Sequence, residues 1–278
     1  MAVFQNPTYR PPKKAIILAG GKGTRLKPYT TVFPKALVPL GDIPVLELVI
    51  LQLKHHGFFD ITFAVGHLAS LIEAYFSDGS RWGVNISYTI EKKPLGTAGP
   101  IKTLFDLPEN FLVMNADIVT DLNYSDFFET HLENVKDNKT LATIATYLRT
   151  SKIDFGIIET NPKTQQMEAF IEKPKVENDV SMGIYAFNYK ILDFIPENTF
   201  FGFDMLMKTL INANQVVKIR SFGGYWLDIG RVDDYETAVN DFVALRDILL
   251  PSSCPDNLES ALPEEAIQDP AMDLAVSR

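Results

Sequence analysis

A chain of 278 residues with 46% hydrophobic and 22% charged residues has the length and apolar content for one large domain with a full core. Its net charge of −9, with no long basic stripe, argues against nucleic acid or an anionic membrane surface as the main partner, and no long apolar run marks a transmembrane helix. The single cysteine, Cys254, has no partner for an internal disulfide, and the opening MAVFQNPTYRPPKK has no apolar core after it, so a reducing, cytoplasmic setting is expected.

Strand-like and helix-like segments alternate through the first half. Ala15–Ala19 is predicted as a strand, followed by the loop LAGGKGTRL at 18–26. Val45–His56 has helical spacing, Ile61–Val65 is a second strand, and Ala69–Phe76 a second helix. Val84–Ile90 and Phe111–Met114 are further strands, with helices predicted over Ala98–Phe105 and Tyr124–Glu133. This repetition predicts an α/β fold: a Rossmann-like, mixed but mostly parallel sheet with helices on both faces. In such sheets ligands bind beyond the carboxyl ends of the strands. The second half changes character. Leu141–Tyr147, Phe155–Glu159, Met167–Ile171 and Met182–Phe187 are predicted strands separated by short polar turns, read as an antiparallel addition to the same sheet. Phe203–Ile211 and Val232–Leu245 are predicted helices. The expected organisation is one domain over 1–250 and a loosely ordered acidic tail over 251–278.

The loop at 18–26 is nearly all backbone and positive charge. A Walker A loop needs a hydroxyl directly after its Gly-Lys, and here Gly23 follows Lys22. A dinucleotide fingerprint needs a small residue where Leu26 stands. Glycines alone also serve a plain tight turn. The loop gains weight from Thr24 and from Arg25, whose guanidinium is a fixed fork of donors, and from the second cation in Pro34-Lys35. A nest of backbone N–H groups flanked by two cations suits a triphosphate.

At this point LAGGKGTRLKPYTTVFPK resembles the opening of the sugar-1-phosphate nucleotidylyltransferases, whose pattern is Leu-Ala-Gly-Gly-x-Gly-Thr-Arg-Leu, a spacer and Pro-Lys. EKKPLGTAG, NAD at 115–117, FGII, EKP at 172–174, MGIY and WLDIG follow in the family's order, and PLGTAGP resembles its GDP-mannose pyrophosphorylase branch. The resemblance implies the nucleotide-diphospho-sugar transferase fold and a reaction of a nucleoside triphosphate with a sugar 1-phosphate, GTP and mannose 1-phosphate being favoured. Thymidylyl, uridylyl or cytidylyl transfer to glucose 1-phosphate, or guanylyl transfer to a rare sugar such as a heptose, are the alternatives. It assigns nucleotide binding to Leu18, Ala19, Gly20, Gly21, Lys22, Gly23, Thr24, Glu91, Gly96 and Thr97. Sugar-phosphate binding falls to Asn115, Gly156, Glu172, Gly183 and Tyr185. Arg25, Lys35, Asp117 and Lys173 are implied as catalytic, and Asp117 with Asp228 as ligands of Mg²⁺. Ala116 departs from the family's Asn-Gly-Asp and adds a methyl near that metal. A homo-oligomer is expected. A nucleotide-sugar-binding regulatory relative is the rival reading, but it would be expected to lose Arg25, Lys35, Asp117 or Lys173, and all four are present. His55 and His56 are adjacent and cannot share a metal as an i, i+4 pair would, so no zinc site is expected.

Overall fold

The computed structural model describes residues 13–137 and 139–251; Cys254 and the acidic stretch after 251 lie outside the described residues. The first described element is β1, Lys13–Ala19, whose near-continuous apolar run fits a strand covered on both faces. The glycine loop and several 3-10 turns lead to a two-residue ribbon, β2 (Pro39–Leu40) and β3 (Ile43–Pro44), and then to α1, Val45–His55. Next come β4 (Phe58–Val65), α2 (Ala69–Phe76), β5 (Asn85–Ile90), β6 (Asn110–Asn115), β7 (Ile118–Thr120) and α3 (Tyr124–Asn134). The later elements are β8 (Thr140–Lys152), β9 (Ile157–Thr160), β10 (Met167–Ile171), β11 (Lys175–Asn188), α4 (Phe203–Asn212), β12 (Val216–Phe222), β13 (Trp226–Asp228) and α5 (Val232–Leu249).

The central sheet has seven strands in the order β12-β8-β11-β6-β1-β4-β5. Only β11 runs against its neighbours β6 and β8; the other pairs are parallel. The period of two along β1 sorts the core into two layers. Ala15 and Ile17 face Leu46, Val49 and Leu53 of α1 with Ile72 and Phe76 of α2, whereas Ile16 faces Leu206 and Leu210 of α4. A helix of ten residues such as α4 is too short to hold alone in water. Burial of its two leucines, each worth about 1.5–3 kcal/mol, fixes it to the sheet. A third cluster packs Leu26, Val38 and Leu48 against Ile229, Ala238 and Phe242, so α5 clamps the segment after the glycine loop. Among the described residues no helix is long and apolar enough to cross a membrane.

Buried polar side chains tie these layers together. Gln52 of α1 donates to the carbonyls of Thr120 and Leu249 at 2.9 and 2.8 Å, joining α1, β7 and the last turn of α5. His131 of α3 is fully buried, with Nδ1 3.0 Å from Thr143 Oγ1 and Nε2 3.2 Å from Asn110 Oδ1. Desolvation lowers its pKa from 6.5 to about 4. The unfolded chain therefore takes up a proton between those values that the folded chain refuses, so stability falls as pH drops from about 6.5 to about 4. The loss should approach roughly 3 kcal/mol at the acid end. Urea unfolding at pH 7 and pH 4.5 should show a smaller pH-dependent loss in His131→Gln than in the parent; equal slopes would exclude His131 as the source.

Three expectations need correction. The helix expected over Ala98–Phe105 is only a 3-10 turn, Gly99–Thr103. Its first N–H groups, of Ala98 and Gly99, bond the carbonyl of Phe201, while Asp106 at φ 57° and then Pro108 stop a further turn. The four later strands do not all join one sheet: β9 and β10 form their own hairpin, and only β8 and β11 enter the central sheet. β8 and β11 are also longer than expected, because their paired ends over 148–152 and 175–181 are largely exposed and lack an apolar period. β12 and β7 are not among the expected strands.

Candidate active site

The glycine loop leaves the carboxyl end of β1 and opens a cleft of about 870 Å³. Leu18 and Ala19 end the strand, and Gly20 to Thr24, Arg25 and Lys35 follow along the cleft wall. A Cβ on Gly20 would lie 2.4 Å from Glu91 Oε1, so the glycine lets the carboxylate close over the backbone. Gly23 takes φ 59°, and its carbonyl accepts from Leu26 N at 2.9 Å and from Thr30 Oγ1 at 2.6 Å. That left-handed residue turns the chain into the short 3-10 turn Thr24–Leu26, whose Leu26 is buried. Gly21 has open space around it, which leaves the loop backbone accessible to a ligand.

Glu91, Gly96 and Thr97 line the same cleft. Glu91 follows β5 and is half-buried; desolvation raises its pKa, and a hydrogen bond from Leu95 N to Oε2 at 3.0 Å pulls the other way. Thr97 Oγ1 accepts from Phe203 N at 2.9 Å and so caps the start of α4. The PLGTAG segment is thus bonded to residues 201–203, and Phe200, Gly202 and Asp204 complete this wall. The sequence reading missed these three, along with Gly66 and His67 beyond the carboxyl end of β4. The rule that ligands lie beyond strand carboxyl ends would have found the last two.

Asn115 ends β6, and Asp117 lies in the turn that follows. Ala116 N bonds Leu18 O at 3.2 Å, which holds that turn beside the glycine loop. The Ala116 methyl is buried in the core cluster, so the departure from glycine is absorbed by packing. Asp228 ends β13, which pairs antiparallel with β7 in the register Asp228↔Ile118. Ile229 N bonds Asp117 O at 3.0 Å, so this small ribbon, not the main sheet, brings the two aspartates together. Lys35 Nζ bonds Asp117 Oδ2 and lies 3.8 Å from Asp228 Oδ1. Asp117 Oδ1 and Asp228 Oδ1 are buried and accept no hydrogen bond. Burial and the charge of Asp117 raise the pKa of Asp228, with Lys35 and Arg25 opposing. The Arg25 guanidinium reaches the same corner: a Cβ on Gly230 would lie 3.4 Å from its Nη2 and 3.5 Å from Asp228 Oδ1.

The remaining predicted residues divide. Gly183, at φ 75°, lies against Asn115, since a Cβ there would sit 2.7 Å from Asn115 Nδ2. Gly156 and Glu172 are neighbours on the arm that carries the β9–β10 hairpin, where a Gly156 Cβ would come 3.2 Å from Glu172 Oε2. Glu172 and Lys173 are exposed, 4.0 Å apart, and are not in the cleft wall. Tyr185 is not brought to the cleft either. It is buried in the second core layer, with its ring 4.2 Å from that of Phe203 and its hydroxyl accepting from Ser181 Oγ at 3.0 Å.

The sequence profile described as "Nucleotidyl transferase" matches residues 14–244. The chain belongs to the nucleotidyl transferase family. It is 33% identical over 247 residues to a UTP–glucose-1-phosphate uridylyltransferase of Synechocystis, covering 81% of this chain and 62% of that protein. It is 31% identical over 229 residues to a mannose-1-phosphate guanyltransferase of Yarrowia lipolytica, covering 80% and 62%. The chain therefore spans less than two thirds of the length of these relatives. The crystal structure of HddC from Yersinia pseudotuberculosis superposes with a TM-score of 0.63 at 25% identity, covering 83% of this chain and 99% of that one. This likeness places the sheet in the nucleotide-diphospho-sugar transferase fold.

Proposed function

We propose that this chain joins a nucleoside triphosphate to a sugar 1-phosphate, releasing pyrophosphate, with GTP and mannose 1-phosphate as the favoured pair. One observation carries the reading: the glycine loop, Arg25 and Asp117 line one cleft, and Asp228 stands beside Asp117 across the same Lys35, each carboxylate with an orphaned buried oxygen. Those oxygens are hard donors on two different segments, a set that fits Mg²⁺, which takes one or two carboxylates and completes its shell from phosphates and water. When bound, the ion would draw the two phosphate groups together and offset their negative charge.

A phosphate oxygen of the sugar phosphate attacks the α-phosphorus, a P–O bond forms there, and the bond to the β-phosphate bridging oxygen breaks. A sugar phosphate is largely dianionic at neutral pH, so no proton need be removed and no general base is required. The work left to the protein is alignment and charge stabilisation. The backbone N–H groups of Gly20 to Thr24, with Arg25, would take the charge growing on pyrophosphate. Lys173 would hold the attacking phosphate, and Glu172, Asn115 and Gly183 the sugar side.

Glu91 supports the guanylyl assignment. Its carboxylate is acceptor-only, and Oε1 closes over Gly20 beside the cleft. Guanine offers two adjacent donors, N1–H and the 2-amino group, whereas uracil and thymine present one N–H between two carbonyls that a carboxylate would repel. The uridylyl relative keeps UTP with glucose 1-phosphate as the second reading. Pyrophosphate release with GTP, UTP, dTTP and CTP against several sugar 1-phosphates tests both. GTP should lead, and Glu91→Gln, which adds a donor, should lower kcat/KM for GTP by about tenfold or more while UTP gains ground. A parent enzyme that prefers UTP or dTTP at matched concentration sinks the guanylyl assignment and leaves the reaction class standing. No pyrophosphate release with any pair would sink the class.

A further inference from the structure

Lys35 opens the 3-10 turn Lys35–Leu37, which is anchored by the buried Ala36 and Leu37. Its backbone is therefore fixed, while its side chain projects into the cleft and is 15% exposed. The ammonium bonds Asp117 and approaches Asp228 to 3.8 Å, so it occupies the point between the two carboxylates where a single bridging cation would be drawn. Both Oδ1 atoms remain without a hydrogen bond even so. One ammonium thus offsets part of the charge of a pair of partly buried carboxylates without satisfying their oxygens, with Arg25 also acting on Asp228.

Lysine suits a temporary post of this kind. Its charge is compact, its stem is flexible, and its three donors accept many geometries, so it can leave without backbone movement. A divalent cation and the ammonium cannot hold the same point, so metal entry requires Nζ to move. The cleft provides a destination: a Cβ on Gly23 would lie 3.2 Å from Lys35 Cβ, so the stem rises directly beside the glycine loop. We propose that Lys35 is an exchangeable counter-ion, holding the place of a cation between Asp117 and Asp228 until a divalent cation displaces it and then turning to polyphosphate on the glycine loop. The inference rests on the metal and triphosphate reading of the site given above. It adds that metal alone binds weakly, because the displaced ammonium then loses its partner, whereas metal arriving with polyphosphate gives it a new one.

The test is Mn²⁺ binding to the full chain without nucleotide, by calorimetry or by the loss of the free-ion electron spin resonance signal. Lys35→Met and Lys35→Gln should each bind Mn²⁺ roughly tenfold or more tightly than the parent. Both should also melt lower than the parent without metal and gain more in Tm when Mn²⁺ is added. Their turnover should fall, so affinity for metal and activity move in opposite directions, which a merely structural lysine would not produce. Unchanged Mn²⁺ affinity in both variants overturns the proposal. If Asp228→Asn still weakens Mn²⁺ binding in that case, the metal reading survives and only the role of Lys35 falls. If Asp228→Asn has no effect on Mn²⁺ binding in any background, both fall together. The nucleotide panel remains a separate test of the reaction itself.

Discussion

Replacing Asp117 or Asp228 by asparagine is expected to lower turnover by about three orders of magnitude, measured as pyrophosphate release at saturating substrates. An amide is a much poorer magnesium ligand than a carboxylate, and the two side chains would share one ion. The double variant should therefore be little worse than either single, as groups acting as a unit are not additive. Raising magnesium should partly rescue the single variants. Folding should survive, and the two sites should differ in sign. Asp228 has a raised pKa, from burial and from Asp117, so its charge costs the fold and Asp228→Asn should melt at or above the parent temperature. Asp117 accepts the Lys35 hydrogen bond, so Asp117→Asn should melt slightly lower. Strictly additive losses, or an Asp228→Asn enzyme with normal rate and normal magnesium dependence, would remove the shared-ion site.

Arg25→Lys is expected to reduce kcat by about a hundredfold, although the charge is kept. The guanidinium lies close against the Gly230 backbone and Asp228, in a corner shaped for a flat group. Lysine delivers one point charge where the fork holds two phosphate oxygens together. If that fork acts on the charge developing at pyrophosphate, kcat should fall much more than the apparent affinity for GTP. Steady-state kinetics on the folded variant would decide it: weaker GTP binding with unchanged kcat would make Arg25 a ground-state anchor.

The parallel half of the fold was legible because β1, β4 and β6 are near-continuous apolar runs buried on both faces and α1 and α2 carry apolar residues at helical spacing. Ala69–Phe76 was bounded correctly, and Val45–His56 to within a residue, because Pro44 starts that helix and Gly57 at φ 83° follows its end. The glycine loop was legible for a different reason: Gly20 is required by its contact with Glu91, and Gly23 by its contacts and by its φ of 59°. The arm was harder to read. Its strands expose residues on both faces, so neither a period of two nor a continuous apolar run marks where they end. Tyr185 shows what a motif leaves unsaid about packing. Its position follows Gly183 as the pattern asks, but its ring serves the packing of Phe187 and Phe203. Phe200 and Asp204 had no signal at all, because their place in the cleft depends on hydrogen bonds from Phe201 and Phe203 to a segment far away in sequence.

The two-stranded ribbon of β7 and β13 sets which changes of chain length this protein can absorb. It fixes Asp117 and Asp228 relative to each other through three paired residues on each side. The long excursion between Thr120 and Trp226, which includes the whole arm, enters and leaves through that one register. Insertions or deletions in the β9–β10 hairpin, which pairs with no other strand, leave the spacing of the carboxylates untouched. A single residue added within 226–228 would turn Asp228 to the opposite face of the ribbon and away from Asp117. The hairpin is thereby open to changes of length in a lineage, while the ribbon that carries the two aspartates is closed to them.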